Sequence, residues 1–113
     1  RYLESHSHVE KVYYPGLESH DGYEIAKSQM SSPGAMLSFL VKGGAAEALK
    51  IVNAVRIFTQ ATSLGGVESL IEHRASLEGP GSKTPLNLIR VSVGLENIED
   101  LVHDLQQAFD SID

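Results

Sequence analysis

At 113 residues with 42% hydrophobic side chains, the chain is long enough to bury one core, and a single domain is the default reading. A formal net charge of -6 and the lack of a basic stripe argue against a duplex nucleic-acid binder, which needs clustered Lys and Arg to neutralise phosphates. The absence of cysteine excludes a disulfide scaffold and a thiolate metal site. No apolar run approaches the ~18 to 20 residues that span a bilayer, and the first residues lack the apolar core of a signal peptide, so a soluble domain with no membrane partner is expected, compatible with a cytoplasmic location. The chain begins at Arg1 without an initiator methionine, which suggests a fragment.

Arg1 to His8 is polar and reads as the tail of a helix; Val9 to Tyr14 is rich in strand formers and ends at the turn signal Pro15, Gly16. Tyr23 to Met30 has helical spacing at Ile25, Ala26, Gln29 and Met30, and the cluster Ser31, Ser32, Pro33, Gly34 stops it. Ala35 to Val41 is apolar except for Ser38 and is closed by Gly43 and Gly44, as expected of a buried strand. The period then changes to that of an amphipathic helix, with a stripe at Ala45, Ala48, Leu49, Val52 and Val55 and with Glu47 and Lys50 opposite.

Ile57 to Thr62 leads into a tight turn at Ser63, Leu64, Gly65 and Gly66, and a second strand-leaning stretch runs from Val67 to Ile71. His73 to Pro85 has scattered charge, three turn-forming Gly and Pro residues in a row and no period, which predicts a surface loop. Leu88 to Gly94 alternates, and the chain closes with a helix from the N-cap candidate Asn97. Glu99 and Asp100 suit its positive N-terminal end, and its apolar stripe comprises Ile98, Leu101, Val102, Leu105, Ala108, Phe109 and Ile112. There is no internal repeat or dividing linker. The order strand, helix, strand, helix, three strands, helix predicts an α+β domain with a mostly antiparallel sheet covered by helices on one face.

In the alternating run, Ile89, Val91 and Val93 point to one face and Leu88, Arg90, Ser92 and Gly94 to the other. If the helices cover the apolar face, Arg90 and Ser92 occupy the face left for solvent, a partner subunit or a missing domain. A mid-strand guanidinium requires an anion or carbonyl partner, and a carboxylate suits it. That carboxylate is either an ordinary ion-pair partner, a nearby Glu or Asp, or a ligand. The five histidines are poorly spaced for a metal. His6 and His8 are two residues apart without an accompanying ligand set, His20 is suited to tie down the loop after Pro15, and His103 falls on the polar side of the last helix. No metal is expected. Glu99, Asp100 and Asp104 read as the wet face of that helix, and Gly65 and Gly66 lack the following helix of a phosphate loop.

Four ordered stretches resemble one family: Tyr14, Pro15, Gly16, Leu17 with His20; Gly34 to Phe39; Ser63 to Leu70; and Arg90, Val91, Ser92, Val93, Gly94, Leu95, Glu96. Together they are similar to the C-terminal domain of the Cys/Met-metabolism pyridoxal-phosphate enzymes, a group that includes cystathionine γ-synthase, cystathionine β- and γ-lyases, O-acetylhomoserine sulfhydrylase and methionine γ-lyase. The similarity covers nearly all 113 residues in the same order.

The resemblance implies the small C-terminal domain of a fold-type I enzyme, usually a homotetramer, whose upstream domain binds pyridoxal 5'-phosphate and carries the Schiff-base lysine. Residues 1–113 would then be a single substrate-recognition domain, inactive alone. By match to the family's motif, Arg90 would clamp the α-carboxylate of a sulfur amino acid or activated homoserine, because a planar bidentate guanidinium suits a planar carboxylate. Ser63 corresponds to the family serine near the Schiff-base lysine and so touches cofactor as well as substrate, and Leu64 to the residue whose backbone faces the substrate. The implied chemistry is β- or γ-elimination or replacement at carbon–sulfur bonds. The alternative is a non-catalytic binding or oligomerisation module for a small carboxylate.

Two departures stand out. The position before that serine is often acidic in cystathionine γ-synthases and γ-lyases but is Thr62 here, which removes a charge able to engage a distal amino group. After His73, Arg74 replaces the proline common in the family. No lysine lies in the family's Ser or Thr, Lys motif; Lys11, Lys42, Lys50 and Lys83 all read as solvated.

Overall fold

Five stretches pair into one sheet in the computed structural model, which describes residues 1–113: β1 (Val9–Tyr13), β2 (Met36–Val41), β3 (Thr59–Gln60), β4 (Leu70–His73) and β5 (Leu88–Ser92). Four helices join them: α1 (Tyr23–Gln29), α2 (Ala45–Ala54), α3 (Arg74–Glu78) and α4 (Ile98–Asp110). The strand order is β1-β2-β5-β4-β3. Every neighbouring pair is antiparallel except the short β3, which runs parallel to β4 at the edge. This is the expected α+β architecture, and no helix is long and apolar enough to cross a membrane.

Strand alternation decides which side chains meet the helices. Phe39, Val41, Ile71, Ile89 and Val91 are nearly or fully buried and form one cluster with Ala48, Ile51 and Val52 of α2 and Leu101, Leu105, Ala108 and Phe109 of α4. Phe109 meets Phe39 edge-on with ring centroids 6.2 Å apart, a geometry that brings a positive ring edge to a negative face. Burying an aromatic side chain of this size contributes about 1.5–3 kcal/mol. The Asn97 side chain accepts the Glu99 amide at 2.8 Å, the expected N-cap. At the start of α2, the Glu47 carboxylate accepts the Gly44 amide at 2.9 Å, and that bond first of all holds its pKa below the usual carboxylate range.

Several local expectations are corrected. Arg1 to His8 forms successive turns instead of a helical tail: the bonds from Ser5 to Arg1, His6 to Leu3 and Val9 to His6 fold it back so that Leu3 is buried. There His6 stacks on Phe109 at 4.2 Å, and no group of three His, Asp or Glu is placed to hold a metal ion. On α2 the buried stripe contains Ile51, while Leu49 is 38% exposed. Ile98 on α4 is also exposed, because it precedes the point where the helix settles on the sheet. Asp104 is not on a wet face but 4% exposed, drawn in by backbone amides of the segment after α2.

The second strand-leaning stretch begins at Leu70, not Val67, because the Ser69 amide is taken by the Glu96 carboxylate at 3.1 Å. It extends through His73, and the segment after it is not all loop. Arg74–Glu78 forms α3, stabilised by the i,i+4 pair of Arg74 with Glu78 at 2.8 Å and ended by Gly79 at φ +81°. One turn of helix burying only Ala75 leaves no period to read.

The chain after β5 closes against the chain before β4. The Gly94 amide donates to the Ser69 hydroxyl at 2.8 Å, and that hydroxyl donates to Glu96 at 2.7 Å, which first of all lowers the Glu96 pKa. A Cβ at Gly94 would stand 2.6 Å from the Glu68 carbonyl carbon and 2.7 Å from the Ser69 nitrogen, both backbone atoms that cannot swing aside. Gly94→Ala should therefore destabilise the chain by about 1–3 kcal/mol. A lower urea midpoint is the expected result, and an unchanged one would contradict this account.

Candidate functional site

The face of the sheet opposite the core cluster carries the candidate site. β5 lies between β2 and β4, so Arg90 has a Cα partner on each side, Ser38 and Glu72. Equivalent positions in antiparallel strands project to the same face, which sets Glu72 beside Arg90. The Arg90 Nε stands 2.5 Å from Glu72 Oε1, with the Arg90 side chain 23% exposed and that of Glu72 3% exposed. Of the two partners left open for Arg90, the chain itself supplies the acidic neighbour, Glu72.

A second group holds the same guanidinium. Its Nη2 donates to the Thr62 carbonyl at 2.5 Å. Three residues on, the Gly65 amide donates to the Ser92 hydroxyl at 3.2 Å, and Gly65 takes φ +75°, where a side chain would be strained. The turn is therefore tied at both ends to β5, and Ser63 and Leu64 lie exposed between the ties. Neither Arg90 Nη1 nor the Ser63 and Leu64 amides have a hydrogen-bond partner within the chain.

The four sequence-predicted residues Thr62, Ser63, Leu64 and Arg90 are brought together, although Thr62 participates through its carbonyl and not its side chain. The sequence alone does not single out Glu72: the strand-leaning stretch reads as ending at Ile71, and only the extension of β4 to His73 brings Glu72 into the ladder.

Glu72 Oε1 also accepts Arg74 Nη1 at 3.2 Å, while Oε2 is buried without a partner. Arg74 in turn donates to Glu78, and Glu78 accepts the Ser82 and Thr84 hydroxyls at 2.9 and 2.8 Å. Those bonds, Thr84 foremost, hold the Glu78 pKa low, and Glu78 foremost raises that of Arg74. Beside this chain of charges lies an open cleft of about 430 Å³ bordered by Gln60, Ala61, Thr62, Glu72 and His73. His73 is held by the Leu86 carbonyl at 2.6 Å and the Ser76 hydroxyl at 2.5 Å.

Chemically, the arrangement leaves a guanidinium nitrogen of Arg90 and the backbone amides of Ser63 and Leu64 without partners in the chain, donors of the kind that anions accept. The amine that anchors pyridoxal phosphate is not among these groups. Lys11, Lys27, Lys42, Lys50 and Lys83 are all exposed, so none is the desolvated amine that such a cofactor needs.

The structure is a small α+β domain with an arginine held on one face of its sheet. Residues 1–110 match the family model described as Cys/Met metabolism PLP-dependent enzyme, and the chain belongs to that family. Over 98% of its length it is 47% identical to L-methionine gamma-lyase of Fusobacterium nucleatum subsp. nucleatum, covering 30% of that protein. Over 95% of its length it is 46% identical to cystathionine gamma-synthase of Mycobacterium bovis, covering 29%. The crystal structure of metB from Corynebacterium glutamicum superposes with a TM-score of 0.93 at 41% identity, over 99% of this chain and 30% of that one. The chain thus spans about 30% of the length of these relatives.

Proposed function

We propose that this chain is the C-terminal substrate-recognition domain of a pyridoxal-phosphate-dependent transsulfuration enzyme. Its substrates are sulfur amino acids or activated homoserine, and its reaction is a β- or γ-elimination or a γ-replacement. The observation that carries this reading is the Arg90 guanidinium, held by Glu72 and by the carbonyl of Thr62, with Nη1 left without a partner in the chain and with the unpaired amides of Ser63 and Leu64 following Thr62 in sequence. A substrate α-carboxylate docked on that edge gains charge-assisted hydrogen bonds of about 1.5–3 kcal/mol each. Two such bonds fix the orientation of a small amino acid as well as its affinity.

The cofactor, seated in an upstream domain, supplies the electron sink for carbanion chemistry when bound. The residues of this chain bind and orient. Arg90 anchors the carboxylate, Leu64 offers its amide, and Ser63 places a hydroxyl at the border between substrate and cofactor. Thr62 leaves the distal end of the substrate without a fixed negative charge. Exposed Leu64, Val67, Leu95 and Ile98 support burial of part of this surface against the upstream domain or a second subunit, in keeping with a homo-oligomer.

The test compares the full-length protein with the 113-residue chain, each supplied with pyridoxal phosphate and with L-methionine, L-cystathionine or an O-acylated homoserine. Carbon–sulfur bond cleavage or formation by the full-length protein is expected. The chain alone should give neither turnover nor a change in the cofactor's absorbance. Turnover by the chain alone would overturn the reading. Carboxylate binding by a full-length protein that turns over none of the three would mark a non-catalytic binding module instead.

A further inference from the structure

Glu72 is 3% exposed, its Oε2 has no partner, and Oε1 serves two guanidinium groups, those of Arg90 and Arg74. A carboxylate is costly to bury, and an unmade hydrogen bond adds to that cost, so packing alone gives no reason for a glutamate here. The position has a geometric consequence instead. Register places Glu72 opposite Arg90, and its Oε1 stands 2.5 Å from the Nε. The Thr62 carbonyl takes Nη2 at 2.5 Å. Nε and Nη2 lie along one edge of the planar group, so both protein partners occupy that edge and Nη1 is turned away from them.

We infer that Glu72 is a positioning residue that acts through Arg90, holding the inner edge of its guanidinium so that the outer edge is presented to a ligand carboxylate. The inference rests on the reading of Arg90 given above. An arginine side chain has several rotatable bonds, and on an open sheet face it would otherwise sample many rotamers. Pairing with a buried carboxylate removes that freedom before the ligand arrives, which is how preorganisation raises affinity. Arg74 neutralises the remaining demand of the shared oxygen and links it through Glu78 to Ser82 and Thr84 of the following loop, so the carboxylate is itself held in place.

The experiment is a double-mutant cycle in the full-length holoenzyme with Glu72→Gln, Arg90→Ala and both together. KM for the amino-acid substrate and kcat are measured, cofactor affinity is followed by absorbance, and folding is followed by near-UV circular dichroism. Glu72→Gln should raise KM about tenfold or more with kcat and cofactor affinity within about threefold, since a misaligned anchor weakens ground-state binding. In the Arg90→Ala background it should change KM by less than about twofold, because its effect passes through the missing side chain. Additive effects would overturn the inference, as would an unchanged KM in Glu72→Gln. An unchanged KM in Arg90→Ala would overturn the functional reading itself. Should Glu72→Gln not fold, Glu72→Asp keeps the charge but withdraws it by one methylene; a KM increase of about threefold, absent from the Arg90→Ala background, supports positioning, and no increase overturns it.

Discussion

Arg90→Ala in the full-length enzyme should raise KM for the amino-acid substrate by about 100-fold, with cofactor affinity changed by less than about twofold. The figure follows from losing two charge-assisted hydrogen bonds of about 1.5–3 kcal/mol each, partly offset by water entering the vacated space. The Glu72 carboxylate, left buried with only Arg74 as counter-charge, costs stability in the free and the liganded protein alike and so adds nothing to this figure. Arg90→Lys should recover little, because an ammonium is a point charge that cannot engage Glu72 and a ligand with separate edges of one plane. Steady-state kinetics with cofactor titration by absorbance checks both. Equal losses of substrate and cofactor binding would contradict the assignment, since Arg90 would then be shaping the whole cleft and not one ligand contact.

The largest effect on stability is expected at Asp104. Its Oδ1 accepts the Arg56 amide at 2.7 Å, and its Oδ2 accepts the Ile57 and Phe58 amides at 2.7 and 3.1 Å. Gln107 donates to Oδ1 at 3.1 Å. This one carboxylate ties α4 to the chain leaving α2 and directs Phe58 into the core. Asp104→Ala would strand those amides away from water and should cost about 3–5 kcal/mol, read as a fall in the urea midpoint. A loss below about 1 kcal/mol would show that water replaces the carboxylate at little cost.

The same site gives a pH dependence whose sign is set by competing causes. Burial raises the Asp104 pKa, but the amides of Arg56, Phe58 and Ile57 together with Gln107 outweigh it, and the net direction is downward. A depressed carboxylate contributes stability that is present above its unfolded pKa and lost as the pH falls through the folded one. The urea midpoint should accordingly decline below about pH 4, and Asp104→Asn, which has no charge to lose, should show a shallower decline. Parallel pH profiles for the two proteins would assign the acid sensitivity to other carboxylates.

Much of the fold was legible because long elements carry their own periodicity. The alternation through Ile89, Val91 and Val93 and the stripe through Leu101, Leu105, Ala108 and Phe109 each identify a face without reference to the rest of the chain. Short elements lacked that redundancy: α3 is held by one ion pair and a terminal glycine, and β3 is only two residues long. Leu49 and Ile51 are both apolar on α2, and only the position of α4 and β4 selects Ile51 for burial. Asp104 read as solvated for a similar reason. Nothing local announces that three amides from another segment will converge on it.

The sequence by itself determined the α+β class and the order of the main elements, because these follow from local periodicity, and it singled out Arg90 by its place in an alternating strand; Thr62, Ser63 and Leu64 joined it only through the resemblance to the family's motifs. Only the tertiary structure decided which carboxylate Arg90 meets, that Thr62 contributes its carbonyl, and that Glu72 is buried with one oxygen unpaired. Those facts depend on the register between β4 and β5 and on a turn folded over the sheet. Register is settled by the packing of whole strands, and a shift of one residue would have turned Glu72 to the other face of the sheet.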